Sequence, residues 1–90
     1  MTRGNPRIHT NLTGKQYAEL TKWCIRNDRS TSYAVSHAVT RFLGTVEPYE
    51  GEADYKVMSR TSEANATTLK AYKGKSWRYV NACVQALLDA

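Results

Sequence analysis

The sequence predicts a mostly helical fold with a single two-stranded antiparallel ribbon, in which a strand-helix-helix unit occurs twice and its two copies pair within one chain. Three observations predict it. An alternating segment, RIHTNLT at residues 7–13, returns 49 positions later as KVMSRTS at residues 56–62. An apolar stripe formed by Val35, Ala38, Val39, Phe42 and Leu43 returns at a shift of 45 as Val80, Cys83, Val84, Leu87 and Leu88. Charge is partitioned in the same way: residues 1–43 carry +5, residues 44–54 carry −4 and residues 55–90 carry +4, so two basic units flank an acidic connector.

The elements follow in order. In residues 7–13, Ile8, Thr10 and Leu12 alternate with Arg7, His9 and Asn11, the period of a strand buried on one face. Thr13 with Gln16 three residues on forms a capping-box signature, so a helix begins there. Tyr17, Leu20 and Cys24, with Trp23 beside them, form its apolar stripe, and Asn27 is placed to end it in a left-handed conformation. Thr31 is the N-cap candidate for the second helix, which carries the Val35–Leu43 stripe. Residues 44–54, with Pro48, Gly44 and Gly51, read as a loop. At about 3.3 Å per residue it spans roughly 35 Å, enough to return the chain to the next strand. There Val57, Ser59 and Thr61 face inward, more polar than their counterparts, and Lys56, Met58 and Arg60 face outward. Ala66, Leu69 and Tyr72 take the places of Tyr17, Leu20 and Trp23, Gly74 those of a stop residue, and Ser76 that of Thr31 as an N-cap. The change of shift from 49 to 45 makes the second unit four residues shorter between its helices, about one helical turn. The expected organisation is an N-terminal arm at 1–6, a first unit at 7–43, the linker at 44–54 and a second unit at 55–90.

Composition narrows the function. Ninety residues leave room for only a small core, and a net charge of +5 favours an acidic partner such as nucleic acid. Residues 1–10 lack the apolar run of a secretion signal and no stretch has the length of a membrane span, so a cytoplasmic, nucleoid-associated protein without membrane contact is expected. Cys24 and Cys83 each fall on an apolar stripe and read as buried free thiols. With His9 and His37 unclustered, no metal or other cofactor is expected. His37 lies beside the stripe with no nucleophile or carboxylate constellation around it, so the chain is not expected to be an enzyme.

The segments RIHTNLTGKQYAELTKWCIRNDRSTSYAVSHAVTRFL and KVMSRTSEANATTLKAYKGKSWRYVNACVQALL resemble the ribbon-helix-helix family of DNA-binding proteins, to which the Arc and MetJ repressors belong. The duplication is similar to the tandem arrangement of the conjugative-transfer protein TraY. Elementary physics points the same way. A two-stranded ribbon is not stable alone, and each unit has one apolar face, so mutual burial of the units is the expected solution, an intramolecular pseudo-dimer. The outer ribbon face then presents Arg7, His9 and Asn11 beside Lys56, Met58 and Arg60, narrow enough for the major groove. There Arg reads guanine, Asn reads adenine and Met58 can touch a thymine methyl. The resemblance further implies phosphate contacts at the amino ends of the last helices, from Arg29, Ser30, Thr31 and Ser32 in one unit and Lys75, Ser76 and Arg78 in the other, with Trp77 in a packing role.

The function expected is sequence-specific binding of double-stranded DNA by a transcriptional repressor or autoregulator, with pseudo-dimers able to self-associate on adjacent subsites. Two alternatives are a relaxosome-type accessory factor using the same contacts and a protein-binding inhibitor or antitoxin-like module of phage or plasmid origin. The stripe running almost to Ala90 speaks against an appended toxin-binding tail.

Overall fold

Strand β1, Arg7–Leu12, and strand β2, Tyr55–Arg60, pair antiparallel as a two-stranded sheet, with Arg7 opposite Arg60, His9 opposite Met58 and Asn11 opposite Lys56. The computed structural model describes residues 6–90, so all but the last residue of the expected N-terminal arm lies outside the described residues. The predicted alternation holds: Ile8, Thr10 and Leu12 are buried on one strand, Val57 and Ser59 on the other. Thr61, just past the end of β2, continues the buried row and its amide donates to the Pro6 carbonyl at 3.0 Å.

Helix α1, Gly14–Asn27, starts with the predicted capping box: the Thr13 hydroxyl accepts from the Gln16 amide at 3.0 Å and Gln16 Oε1 accepts from the Thr13 amide at 2.9 Å. Its buried face differs from the predicted stripe. Gln16, Leu20 and Cys24 point inward, whereas Tyr17 is 40% exposed and stacks on Tyr55 with ring centroids 5.3 Å apart. The left-handed stop is Asp28, at φ 55°, rather than Asn27. Asn27 remains helical and its side-chain amide donates to the Trp23 carbonyl, while Asp28 takes the conformation that short polar side chains tolerate best.

Helix α2, Thr31–Phe42, is capped by Ser30 rather than by Thr31. Once Asp28 has turned the chain, Ser30 is the last extended residue, and its hydroxyl accepts from the Tyr33 amide at 3.0 Å. A 3-10 turn at Leu43–Thr45 opens the otherwise irregular linker.

Helix α3, Glu63–Lys70, is 8 residues long against 14 in α1. Ser62 caps it. Gly74 is not a left-handed stop: α3 ends on Ala71 in a right-handed conformation, and the left-handed residue is Lys73, at φ 53°, opening a second 3-10 turn at Lys73–Lys75. That turn runs directly into helix α4, Ser76–Asp89. The Ser76 amide is therefore already bonded to the Lys73 carbonyl, which makes Ser76 the first helical residue and leaves α4 without a side-chain cap.

Helices α2 and α4 pack on each other through equivalent positions of the two stripes: Val35 and Val80, Ala38 and Cys83, Val39 and Val84 are each at most 1% exposed. Over this pair lies the ribbon, β1 against α4 and β2 against α2. The fold is thus mostly helical with a two-stranded antiparallel sheet, four α-helices and one core. Among the described residues no buried side-chain nitrogen or oxygen lacks a hydrogen-bond partner, and no helix is long and apolar enough to cross a membrane.

Candidate nucleic-acid interface

The strand alternation that buries Ile8, Thr10, Leu12, Val57 and Ser59 turns Arg7, His9, Asn11, Lys56, Met58 and Arg60 to the other face. The register pairs these six with one another, so they form one two-row surface. Asn11 is half-buried and the other five are exposed, Met58 to 53%. Met58 stands between Lys56 and Arg60 on its strand and opposite His9.

What holds the ribbon in place is polar as much as apolar. Thr10 Oγ1 donates to the carbonyl of Trp77 at 2.7 Å, and Ser59 Oγ donates to the carbonyl of Ser32. Each strand is thereby fastened to the first turn of the helix beneath it. The polar inner face of the second strand thus has a structural cause.

A second set of bonds sits at the far end of β1. Asn81, fully buried on α4, donates through Nδ2 to the Asn11 carbonyl at 2.7 Å and to Gln16 Oε1 at 3.0 Å. Its Oδ1 accepts from Gln16 Nε2 at 2.9 Å, and Gln16 Nε2 also donates to Gln85 Oε1. On the opposite side Asn65 Nδ2 donates to Thr40 and Thr61 hydroxyls. Sequence reasoning identified Gln16 only as a cap and missed Asn81. The available signal was a polar pair at i and i+4, Asn81 and Gln85, on the edge of an apolar stripe.

The expected phosphate-contacting residues divide into two kinds. Ser30 and Ser32 lie exposed at the amino end of α2. Ser32, with Arg7, Met58 and Arg60 of the ribbon, lines a recess of about 180 Å³, so helix end and ribbon share a surface. Arg29 is exposed with its guanidinium 4.7 Å above the Tyr33 ring, which stacks on His37 at 5.8 Å, which in turn faces Trp23 at 6.3 Å. Thr31 is half-buried and borders the same recess as Cys24. At the amino end of α4, Lys75 is exposed and Ser76 half-buried. Arg78 is engaged elsewhere: its guanidinium donates to the carbonyls of Tyr49 and Gly51 at 2.9 and 3.0 Å and lies 4.5 Å above the Trp77 ring, so it holds the linker against the core.

Burial pushes the Cys83 thiol up to about 12, and burial raises Cys24 as well, opposed by the Thr31 hydroxyl. Both are protonated, inert packing groups at neutral pH. Among the described residues no three His, Cys, Asp or Glu side chains gather into a candidate metal site. No protein-family model, curated protein or solved structure matches this chain significantly.

Proposed function

We propose that the chain is a tandem ribbon-helix-helix protein, an intramolecular pseudo-dimer that binds double-stranded DNA sequence-specifically and serves as a transcriptional repressor or autoregulator. The observation that carries the DNA reading is the register of the ribbon, which sets Arg7 against Arg60, His9 against Met58 and Asn11 against Lys56 on a single exposed face. Two strands about 4.8 Å apart, with their side chains, fit a major groove about 12 Å wide. Arg7 and Arg60 then read guanine, Asn11 reads adenine, and Met58 meets a thymine methyl. Arg29, Ser30, Thr31 and Ser32 on one flank and Lys75 and Ser76 on the other contact phosphate. Arg78 steadies the linker instead.

The pairing of two like units is supported by bonds that repeat. Strand positions correspond at a shift of 49 and last-helix positions at 45. Under that correspondence Thr10 to Trp77 and Ser59 to Ser32 are the same bond made in both directions, as are Gln16 to Gln85 and Asn65 to Thr40. His9 and Met58, equivalent at a shift of 49, face each other where a local two-fold axis would pass.

Selection of bound duplexes from a random pool tests the function. The expected result is an enriched motif whose two halves differ, because the two strands carry different side chains. A recovered pool as random as the input would overturn the reading and direct attention to a protein target.

A further inference from the structure

Between β1, α3 and α4 lies an open cavity of about 320 Å³, within the roughly 300–1,000 Å³ range of small-molecule sites. Its floor is apolar, made by Ile8, Ala66, Leu69 and Val80. Its rim is basic, made by Arg7, His9, Lys70 and Lys73. We propose that this cavity binds a small amphipathic anion, a carboxylate or sulfonate on an apolar body, with the body against the apolar lining around Ala66 and the acid group among Arg7, Lys70 and Lys73.

The space lies beside the short α3 and the turn that follows it. In α1 the helix continues past Leu20 to Cys24, which is buried, while Cys24 and Thr31 border a shallow recess of their own with Ile25, Asp28 and Arg29. In α3 the helix ends at Lys70, one residue after Leu69, and Lys73 follows exposed on a 3-10 turn. Where α1 has the buried Cys24, an exposed cation, Lys73, thus stands at the edge of the cavity. Lys73 also holds a left-handed backbone that lysine disfavours, although Gly74, which would adopt it freely, is the next residue. Charge complementarity selects the occupant: among the cavity-lining residues there is no Asp or Glu to offset the rim.

The site stands without the DNA reading, and so does its test. The full chain is titrated with 8-anilinonaphthalene-1-sulfonate, an anionic apolar fluorophore, and the bound probe is then displaced with decanoate. Expected is one saturable site with a micromolar dissociation constant, released by decanoate but not by decanol. Ala66→Trp, which fills the cavity from the α3 side, should abolish binding while the melting temperature stays or rises. The double variant Lys70→Glu/Lys73→Glu, at exposed positions and with its fold checked by circular dichroism, should weaken binding by about tenfold or more. Lys15→Glu/Lys22→Glu, the same charge change on the exposed face of α1, should leave it intact. Non-saturating uptake, or equal weakening by the two double variants, would overturn the proposal.

Discussion

Asn81 is the buried residue whose replacement should be felt most. Its amide closes a reciprocal pair with Gln16 and bonds the Asn11 carbonyl, at 2.7–3.0 Å. Asn81→Leu keeps nearly the same volume at a site with no exposure and removes all three bonds. Gln16 keeps the Thr13 amide on Oε1 and Gln85 on Nε2, so it is weakened rather than orphaned. The Asn11 carbonyl loses its shortest partner. Two poorly satisfied buried groups cost about 1–3 kcal/mol each, and the added apolar burial returns about 1 kcal/mol, so a net loss of about 1–5 kcal/mol is expected. At about 0.05–0.15 kcal/mol per residue the whole 90-residue fold has only about 5–13 kcal/mol, so the change is large. Urea unfolding followed by far-UV circular dichroism measures it, with an unchanged slope certifying the same unfolding reaction. In Gln16→Leu/Asn81→Leu both partners of the amide pair are gone, and the double variant should be less destabilised than the sum of the singles by about 1 kcal/mol or more. A single variant within about 0.5 kcal/mol of the parent, or strict additivity, would show that the network does not clamp β1 to α4.

Arg7→Ala, Asn11→Ala and Arg60→Ala should each cost about 1–3 kcal/mol on the preferred duplex and less on random DNA, whereas Lys75→Ala should weaken both alike and lower the salt slope by about 1; equal losses throughout, in binding titrations at several salt concentrations, would remove the ribbon as a base reader. The raised Cys83 thiol is favoured as the neutral form by folding, so its contribution to stability is complete below the unfolded value near 9.0 and is lost as pH rises toward 12. Chemical denaturation across that window should show an alkaline loss in the parent that is smaller in Cys83→Ala, and both thiols should resist alkylation at neutral pH until the chain is unfolded. Cutting the chain after Glu50 should leave halves that cannot bury Val35, Val39, Val80 and Val84, each worth about 1.5–3 kcal/mol when covered. Mixing the halves should restore structure, and sedimentation showing a folded monomeric first half would contradict the shared core.

What was legible in the sequence was local and periodic. The alternation of Arg7 to Leu12, the Thr13–Gln16 box and the Val35 and Val80 stripes each declare themselves within a few residues, because period 2, period 3.6 and cap chemistry act over that range. Helix starts were less legible. Ser30 and Thr31 both offer a hydroxyl, and the choice falls to whichever residue is still extended after the turn at Asp28. Ser76 was displaced from its cap for a similar reason, because the 3-10 turn before it already supplies an acceptor for its amide. Long-range polar contacts were not legible at all. Gln16 to Asn81 spans 65 residues and Arg78 to Tyr49 spans 29, and no periodicity carries the information that an amide will face an amide or that a basic residue will be held by linker carbonyls.

If the two units are paired copies, as proposed, their differences bear on why they share one chain. In a pair of identical chains every substitution appears twice, so a turn deleted from the first helix would be lost on both sides of a core this small. Here one side keeps the long α1 with Cys24 buried, and the other carries the short α3 and the cavity beside it. The clamp from Asn81 to the Asn11 carbonyl likewise belongs to one side, the equivalent position in α2 being Ser36, too short to form the reciprocal amide pair. The two strands diverge in step, with Arg7, His9 and Asn11 in one row and Lys56, Met58 and Arg60 in the other. Covalent linkage makes this divergence tolerable, since it guarantees that each altered half always meets its complement. It also fixes which row lies beside which, so the preferred duplex should be recognised in one orientation only, and inverting one half-site should cost as much as mutating it.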